Sequence, residues 1–176
     1  MMTEVTRYSL WLLPDEAATE SFTGVIDRFS DRYRGPRFTP HVTLLGWVTG
    51  VEQNLRETTV ALAEELPAPR LQPAGLGGEA YYFRCFYVKL QKSTELLQIH
   101  ERASAAFKAG YASDYLPHLS LVYGHLPPAR KAALDAEMEN TLPVEFIADR
   151  LQLVHITVSV ADWRVVTTCS LRAERQ

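Results

Sequence analysis

Cysteine is scarce in this sequence. The two present, Cys85 and Cys169, have no C-x-x-C spacing and exclude both a disulfide framework and a four-sulfur zinc site. They read as buried strand thiols of a protein in a reducing cytosol. Long apolar runs are also missing. The most apolar early stretch, Leu-Trp-Leu-Leu at residues 10–13, stops at Pro14-Asp15-Glu16, far short of the ~18 residues of a membrane span. Nothing marks the chain for export, so a cytoplasmic protein away from membranes is expected. Ten Pro and nine Gly are too few for a low-complexity or collagen-like chain. There is no excess of positive charge either. Lys+Arg 18 against Asp+Glu 21 leaves a net −3, which removes any overall pull toward a long nucleic acid and leaves room for a small anionic ligand in a local pocket.

What is there suits one compact domain of 176 residues, 47% hydrophobic and 22% charged. Strands are expected at residues 8–13, 41–45, 71–76, 81–90, 117–123, 144–147, 151–158 and 163–171, from short apolar and aromatic runs bounded by Pro or Gly. Helices are expected in between. The first follows Asp15-Glu16, carries Phe22, Val25, Ile26, Phe29 and Tyr33 at helical spacing, and stops at Gly35-Pro36. Others run over 51–66, from a Ser93 cap to Phe107, and from Pro128 to about Asn140. Gly77-Gly78 joins the third and fourth strands as a hairpin turn.

The second half of this order repeats the first. Pro40-His41-Val42-Thr43-Leu44-Leu45 and Pro117-His118-Leu119-Ser120-Leu121-Val122 place like residues in register, 77 positions apart. A bare H-x-[ST] is expected by chance roughly 0.65 times in this composition, and it occurs three times; the third, His155-Ile156-Thr157, lacks the preceding Pro. The extended Pro-His-apolar-[ST]-apolar-apolar pattern is expected at well below ~0.01 per chain, yet it occurs twice. We read residues 1–176 as one α+β domain of two pseudo-symmetric lobes, each an antiparallel sheet covered by helices, around a central cleft.

The chemistry follows from strand geometry. Residues i and i+2 share a face, so His41 with Thr43, and His118 with Ser120, point away from the apolar residues between them. Two imidazoles and two hydroxyls then converge on one groove. That set suits hydrolysis of a phosphodiester: one imidazole takes a proton from water, the other gives one to the leaving oxygen, and the hydroxyls hydrogen-bond the phosphate oxygens. No metal is needed. A zinc site of His41, His118 and His155 would leave the hydroxyls unexplained, and no H-x-H pair or carboxylate at ligand spacing supports it. His155 stands outside the repeat as a structural or groove-lining residue, while His100 and His125 read as surface residues. Arg28, Arg32, Arg34 and Arg37 form either a solvated helix end or a rim that steers phosphate.

These motifs resemble the two-histidine (2H) phosphoesterase superfamily, defined by two H-x-[ST] motifs in a pseudo-symmetric fold. Within it the chain looks most like the cyclic phosphodiesterases of plant and yeast type, through residues 8–14, His41-Val42-Thr43, Tyr82-Phe83-Arg84-Cys85 and residues 117–124. The resemblance implies metal-free hydrolysis of ADP-ribose 1″,2″-cyclic phosphate, a by-product of tRNA splicing, and of nucleoside 2′,3′-cyclic phosphates to 2′-phosphates. It makes His41, Thr43, His118 and Ser120 the catalytic set, with His118 as base and His41 as acid by analogy. Tyr123 and Phe83 match aromatic positions that line the family's site, and Trp11 is taken with them as a substrate contact. No cofactor is expected, and the protein is read as a monomer acting on a small substrate. Two rivals stay open: a 2′-5′ RNA ligase or RNA 3′-end-processing enzyme, and a non-catalytic module that senses cyclic phosphates.

Overall fold

The computed structural model describes residues 6–110 and 114–173. Of the loop at 110–116, residues 111–113 therefore lie outside the described residues. The order along the chain is β1 (Arg7–Pro14), α1 (Glu16–Tyr33), β2 (Val42–Val48), α2 (Glu52–Glu65), β3 (Arg70–Leu71), β4 (Pro73–Gly77), β5 (Phe86–Leu90), α3 (Thr94–Ala106), β6 (His118–Val122), α4 (Pro128–Met138), β7 (Phe146–Ile156) and β8 (Arg164–Ser170). Local chemistry sets the helix starts. The Asp15 carboxylate accepts from Ala18 N at 2.9 Å, and the Ser93 hydroxyl accepts from Leu96 N at 3.2 Å, each supplying an acceptor for an amide that no helical carbonyl can reach. Helix α1 ends at Tyr33, and Arg34 rather than the expected Gly35 takes the left-handed region, at φ 54°.

The strands form one antiparallel α+β sheet in the order β3-β7-β1-β2-β6-β5-β4, with β8 also on β7. The two motif strands are neighbours at the β2–β6 junction, where Val42 pairs with Leu119, and each has the strand that precedes it in its own half on its outer side, β1 beside β2 and β5 beside β6. Val42 and Leu119 are the residues just after the two motif histidines. Helix α1 packs against β6 as well as β1, while α3 packs against β2, so each half covers the other half's motif strand. One core results. Phe22, Ile26, Phe29, Val42, Leu44, Phe86, Leu96, Leu119 and Leu121 are all at most 2% exposed and belong to a single cluster.

Four expected strands come out differently. Residues 71–76 split in two: Leu71 pairs with Phe146 of β7, whereas Pro73 pairs with Leu90 of β5. These are opposite edges of the sheet, and the chain steps between them at Gln72, whose carbonyl accepts from Gln91 N at 2.9 Å. The sheet must curl for this to happen. The aromatic stretch 81–90 is a strand only from Phe86; Tyr82–Arg84 forms a 3-10 turn because β6 pulls its carbonyls inward. The Ser120 hydroxyl donates to Phe83 O at 3.0 Å, and Gly124 N to Tyr82 O at 3.0 Å. Cys85 consequently ends that turn, fully buried, instead of lying in a strand, and Cys169 on β8 is only half-buried. Finally, 144–147 and 151–158 merge into β7, since the polar pair Asp149-Arg150 lies within the strand. The Arg150 guanidinium donates to Pro14 O at 2.5 Å, which explains its tolerance there.

Candidate active site

Each motif histidine is held the same way. His41 Nδ1 lies 2.7 Å from Thr39 O, and His118 Nδ1 lies 2.8 Å from Leu116 O, both two residues back across a proline. A carbonyl oxygen only accepts, so Nδ1 carries the hydrogen in both rings, and Nε2 is left as the reactive nitrogen. Pro40 and Pro117 contribute by biasing Thr39 and Leu116 to extended backbone. On β6, Leu119 and Leu121 go to the core, which leaves His118 and Ser120 on the other face; Val42 and Leu44 do the same for Thr43. The structure thus brings all four motif residues to one side of the β2–β6 junction.

Register supplies a neighbour for each motif. Trp11 of β1 is opposite Thr43, and Tyr87 of β5 is opposite Ser120. Trp11 stacks flat on His41, with centroids 3.7 Å apart at 11°, while its Nε1 donates to Ser9 Oγ at 2.7 Å. Trp11 is 4% exposed, so the expected substrate contact sits beneath His41 and acts through it. Tyr87 takes the equivalent place beside His118, at 5.0 Å and 58°. Motif reasoning did not find Tyr87, although its position opposite the second motif strand copies that of Trp11.

Aromatic rings close the site from above. Tyr123 Oη is 3.5 Å from His41 Nε2, and its ring stacks on Phe38 at 3.8 Å. Trp163 is half-buried and meets Trp11, His41, Phe83 and Tyr123 at 5.5–6.4 Å. Phe83, half-buried like Trp163, faces it at 5.9 Å and 28°. Trp163 lies outside the repeated segment, so no motif pointed to it. Tyr115 ties the second motif's approach to the first, its hydroxyl donating to Thr43 O at 3.0 Å.

The two imidazoles are alike in sequence and unequal in environment. Burial pushes the His41 imidazole down to about 4; the Thr39 carbonyl opposes this, and neighbouring His118 adds to it. His118 is less buried and is also lowered, mainly by burial, with Leu116 O opposing, Arg84 lowering further and Glu79 raising. The Tyr123 phenol is raised by its burial, while the Ser120 hydroxyl beside it lowers it.

Other candidates fall elsewhere. His155 packs against Tyr8 at 5.5 Å near the outer end of β7, and among the described residues no three His, Cys, Asp or Glu side chains are grouped to hold a metal ion. His100 is buried, 2% exposed and stacked on Tyr115 at 4.1 Å, which corrects its reading as a surface residue. His125 is exposed as expected. Three of the four rim arginines are tied down: Arg28 and Arg32 pair with Glu137 of α4, and Arg37 pairs with Asp27 and Asp31. Among the described residues no helix is long and apolar enough to cross a membrane.

Residues 13–159 match the 2′-5′ RNA ligase superfamily. The chain belongs to that superfamily. Its two H-x-[ST] motifs are the mark of the two-histidine phosphoesterases, the group that the sequence resembles. A protein named cyclic phosphodiesterase from Arabidopsis thaliana is 26% identical over 182 residues, covering 97% of this chain and 99% of the relative. Among solved structures, TT0787 of Thermus thermophilus superposes with a TM-score of 0.65 at 18% identity, covering 96% of this chain and 100% of that one. E. coli LigT in apo form superposes at 0.60 and 16%, covering 96% and 99%. At these identities the two solved structures show the fold alone.

Proposed function

We propose that the protein hydrolyses a small cyclic phosphodiester, ADP-ribose 1″,2″-cyclic phosphate or a nucleoside 2′,3′-cyclic phosphate, to the 2′-phosphate without a metal cofactor. The observation that carries this reading is the pair of imidazoles flanking one junction, each with Nδ1 tied to a carbonyl and Nε2 left to react. The Arabidopsis cyclic phosphodiesterase, matched over nearly its whole length, supports the substrate class. The same reading takes residues 1–176 as one bilobal domain built by duplication, which the matching places of β1 beside β2 and β5 beside β6 support. It also takes the protein as a cytoplasmic monomer, with a net −3 that favours a small substrate over a long nucleic acid.

In the proposed step for a 2′,3′-cyclic phosphate, the water oxygen bonds to phosphorus and the bond from phosphorus to the 3′ oxygen breaks. The water proton passes to His118 Nε2, and a proton from His41 Nε2 passes to the leaving oxygen. The unequal environments suit these roles. His118, lowered less, is the stronger base, while His41, held low, is the stronger acid once the phosphate anion lets it carry a proton. Thr43 and Ser120 hydrogen-bond the non-bridging oxygens. Ser120 donates to Phe83 O, so it must turn to do this. Trp11 positions His41, and Phe83 with Trp163 offers aromatic faces to the base or the ribose-linked adenine.

A pH profile tests the pair. Activity needs one imidazole neutral and one charged, so kcat/KM is bell-shaped between their pKa values. Both are lowered from 6.5, His41 to about 4, which puts the optimum of kcat/KM below pH 6.5. The bound phosphate anion favours both cations, so the optimum of kcat lies at higher pH than that of kcat/KM. A flat profile from about pH 5 to 9 sinks the two-histidine step.

A further inference from the structure

We propose that the Glu79 carboxylate, joined to His118 through the Tyr87 ring, is a positioning group that offsets the neighbouring Arg84 cation and so keeps His118 rather than His41 as the proton acceptor. The proposal rests on the two-histidine reading above and adds residues that neither motif contains.

Trp11 and Tyr87 hold equivalent places, each opposite the motif hydroxyl and each against the motif histidine. Their polar ends differ. The Trp11 indole donates to the Ser9 hydroxyl, which donates to Leu45 O at 3.1 Å, so the chain of contacts behind His41 is neutral. The Tyr87 hydroxyl instead donates to Glu79 Oε1 at 3.1 Å. The second carboxylate oxygen, Oε2, pairs with Arg84 Nη2 at 3.0 Å. Behind His118, therefore, the contacts end in a carboxylate.

The carboxylate is built in from several elements. Glu79 N donates to Arg84 O at 2.9 Å, which closes the 79–84 turn, and Lys131 Nζ of α4 donates to Glu79 O at 2.6 Å. Gly77 and Gly78 allow the approach. A Cβ at 77 would lie 2.7 Å from the Tyr87 ring, and one at 78 would lie 2.7 Å from Cys85 O, so side chains at these positions would push the turn off the strand. The sequence shows Gly77-Gly78 as a plain hairpin turn; its second use is to seat Glu79.

The charged and titratable groups around His118 come from every neighbouring element. Lys89 of β5 is opposite it in register, with an exposed side chain, and Tyr87 lies on the same strand. Glu79 and Arg84 come from the turn, Lys131 from α4 with its amine on Glu79 O, and His41 from the first motif. Glu79 is the acid of this set. Arg84, the larger influence of the two, disfavours the His118 cation and Glu79 offsets it, whereas neither is among the groups that shift His41. When His118 takes the water proton, the carboxylate supports the new charge through space, and Tyr87 keeps ring and carboxylate in register.

Histidine side-chain NMR titration of the full-length protein tests this directly. Glu79→Gln, nearly the same shape without the charge, is expected to lower the His118 midpoint and leave His41 in place, while Arg84→Met raises the His118 midpoint. Tyr87→Phe keeps the ring, cuts the hydroxyl link and moves His118 in the same sense as Glu79→Gln. On a hydrolysed cyclic phosphate, Glu79→Gln lowers kcat about tenfold at little change in KM, and Glu79→Asp recovers part of it. An unchanged His118 midpoint in Glu79→Gln, or equal movement of both histidines, overturns the proposal. Because the titration needs no turnover, its failure is distinct from a failure of the proposed hydrolysis.

Discussion

His118→Ala is expected to lower kcat on a 2′,3′-cyclic phosphate by about 10²–10⁴-fold while the variant still binds the substrate. Its imidazole turns Nε2 to the more open side of the junction, and among the described residues the neighbouring hydroxyls are engaged elsewhere: Tyr87 donates to Glu79, and Ser120 to Phe83 O. The fold should survive. His118 is the half-buried first residue of β6, and the core positions Leu119 and Leu121 are untouched. Steady-state kinetics together with calorimetric binding of adenosine 2′,3′-cyclic phosphate separate the two effects. Wild-type turnover retained in the variant would remove His118 from the mechanism. A wild type that binds and never turns over would make the protein a sensor, because a sensor needs donors but no acid–base pair.

The second large effect separates the acid from the base. His41→Ala is expected to lose about 10²–10⁴-fold on the same substrate, since the departing sugar oxygen then leaves without a proton. An analogue with sulfur in place of the bridging 3′ oxygen changes this, because a thiolate is a better leaving group and has little need of a proton. On that analogue the His41→Ala deficit should shrink to about tenfold or less, and the His118→Ala deficit should persist. Equal deficits for both variants on both substrates would contradict the assignment. The reverse pattern would exchange the two roles.

Much of this was legible in the sequence because the motif strands are patterned twice. Pro-His-apolar-[ST]-apolar marks a strand start, a face and a chemistry at once, and β2 and β6 lie where those patterns fall. The helix starts after Asp15 and at the Ser93 cap could be read because an N-terminus is a local event of three residues. What stayed hidden depends on contacts between elements. Tyr82-Phe83-Arg84 has strand composition, yet hydrogen bonds from β6 wind it into a turn. Asp149-Arg150 looks like a break, yet Pro14 O stabilises the guanidinium within β7. His100 follows Leu96 by one helical turn, so its inward place could be seen in the spacing; its polarity argued otherwise. Glu79 and Trp163 belong to no repeat, and only the folded chain sets them, together with Tyr87, around the motif residues.

The most direct test of the central claim is phosphorus NMR of the purified protein with adenosine 2′,3′-cyclic phosphate in excess EDTA, followed to product. The account predicts conversion to the 2′-monophosphate alone, through cleavage on the 3′ side without a metal. An unchanged spectrum, with an RNA 2′,3′-cyclic end processed under the same conditions, would contradict it and assign the site to RNA ends; conversion only after metal is added would contradict the two-histidine mechanism itself.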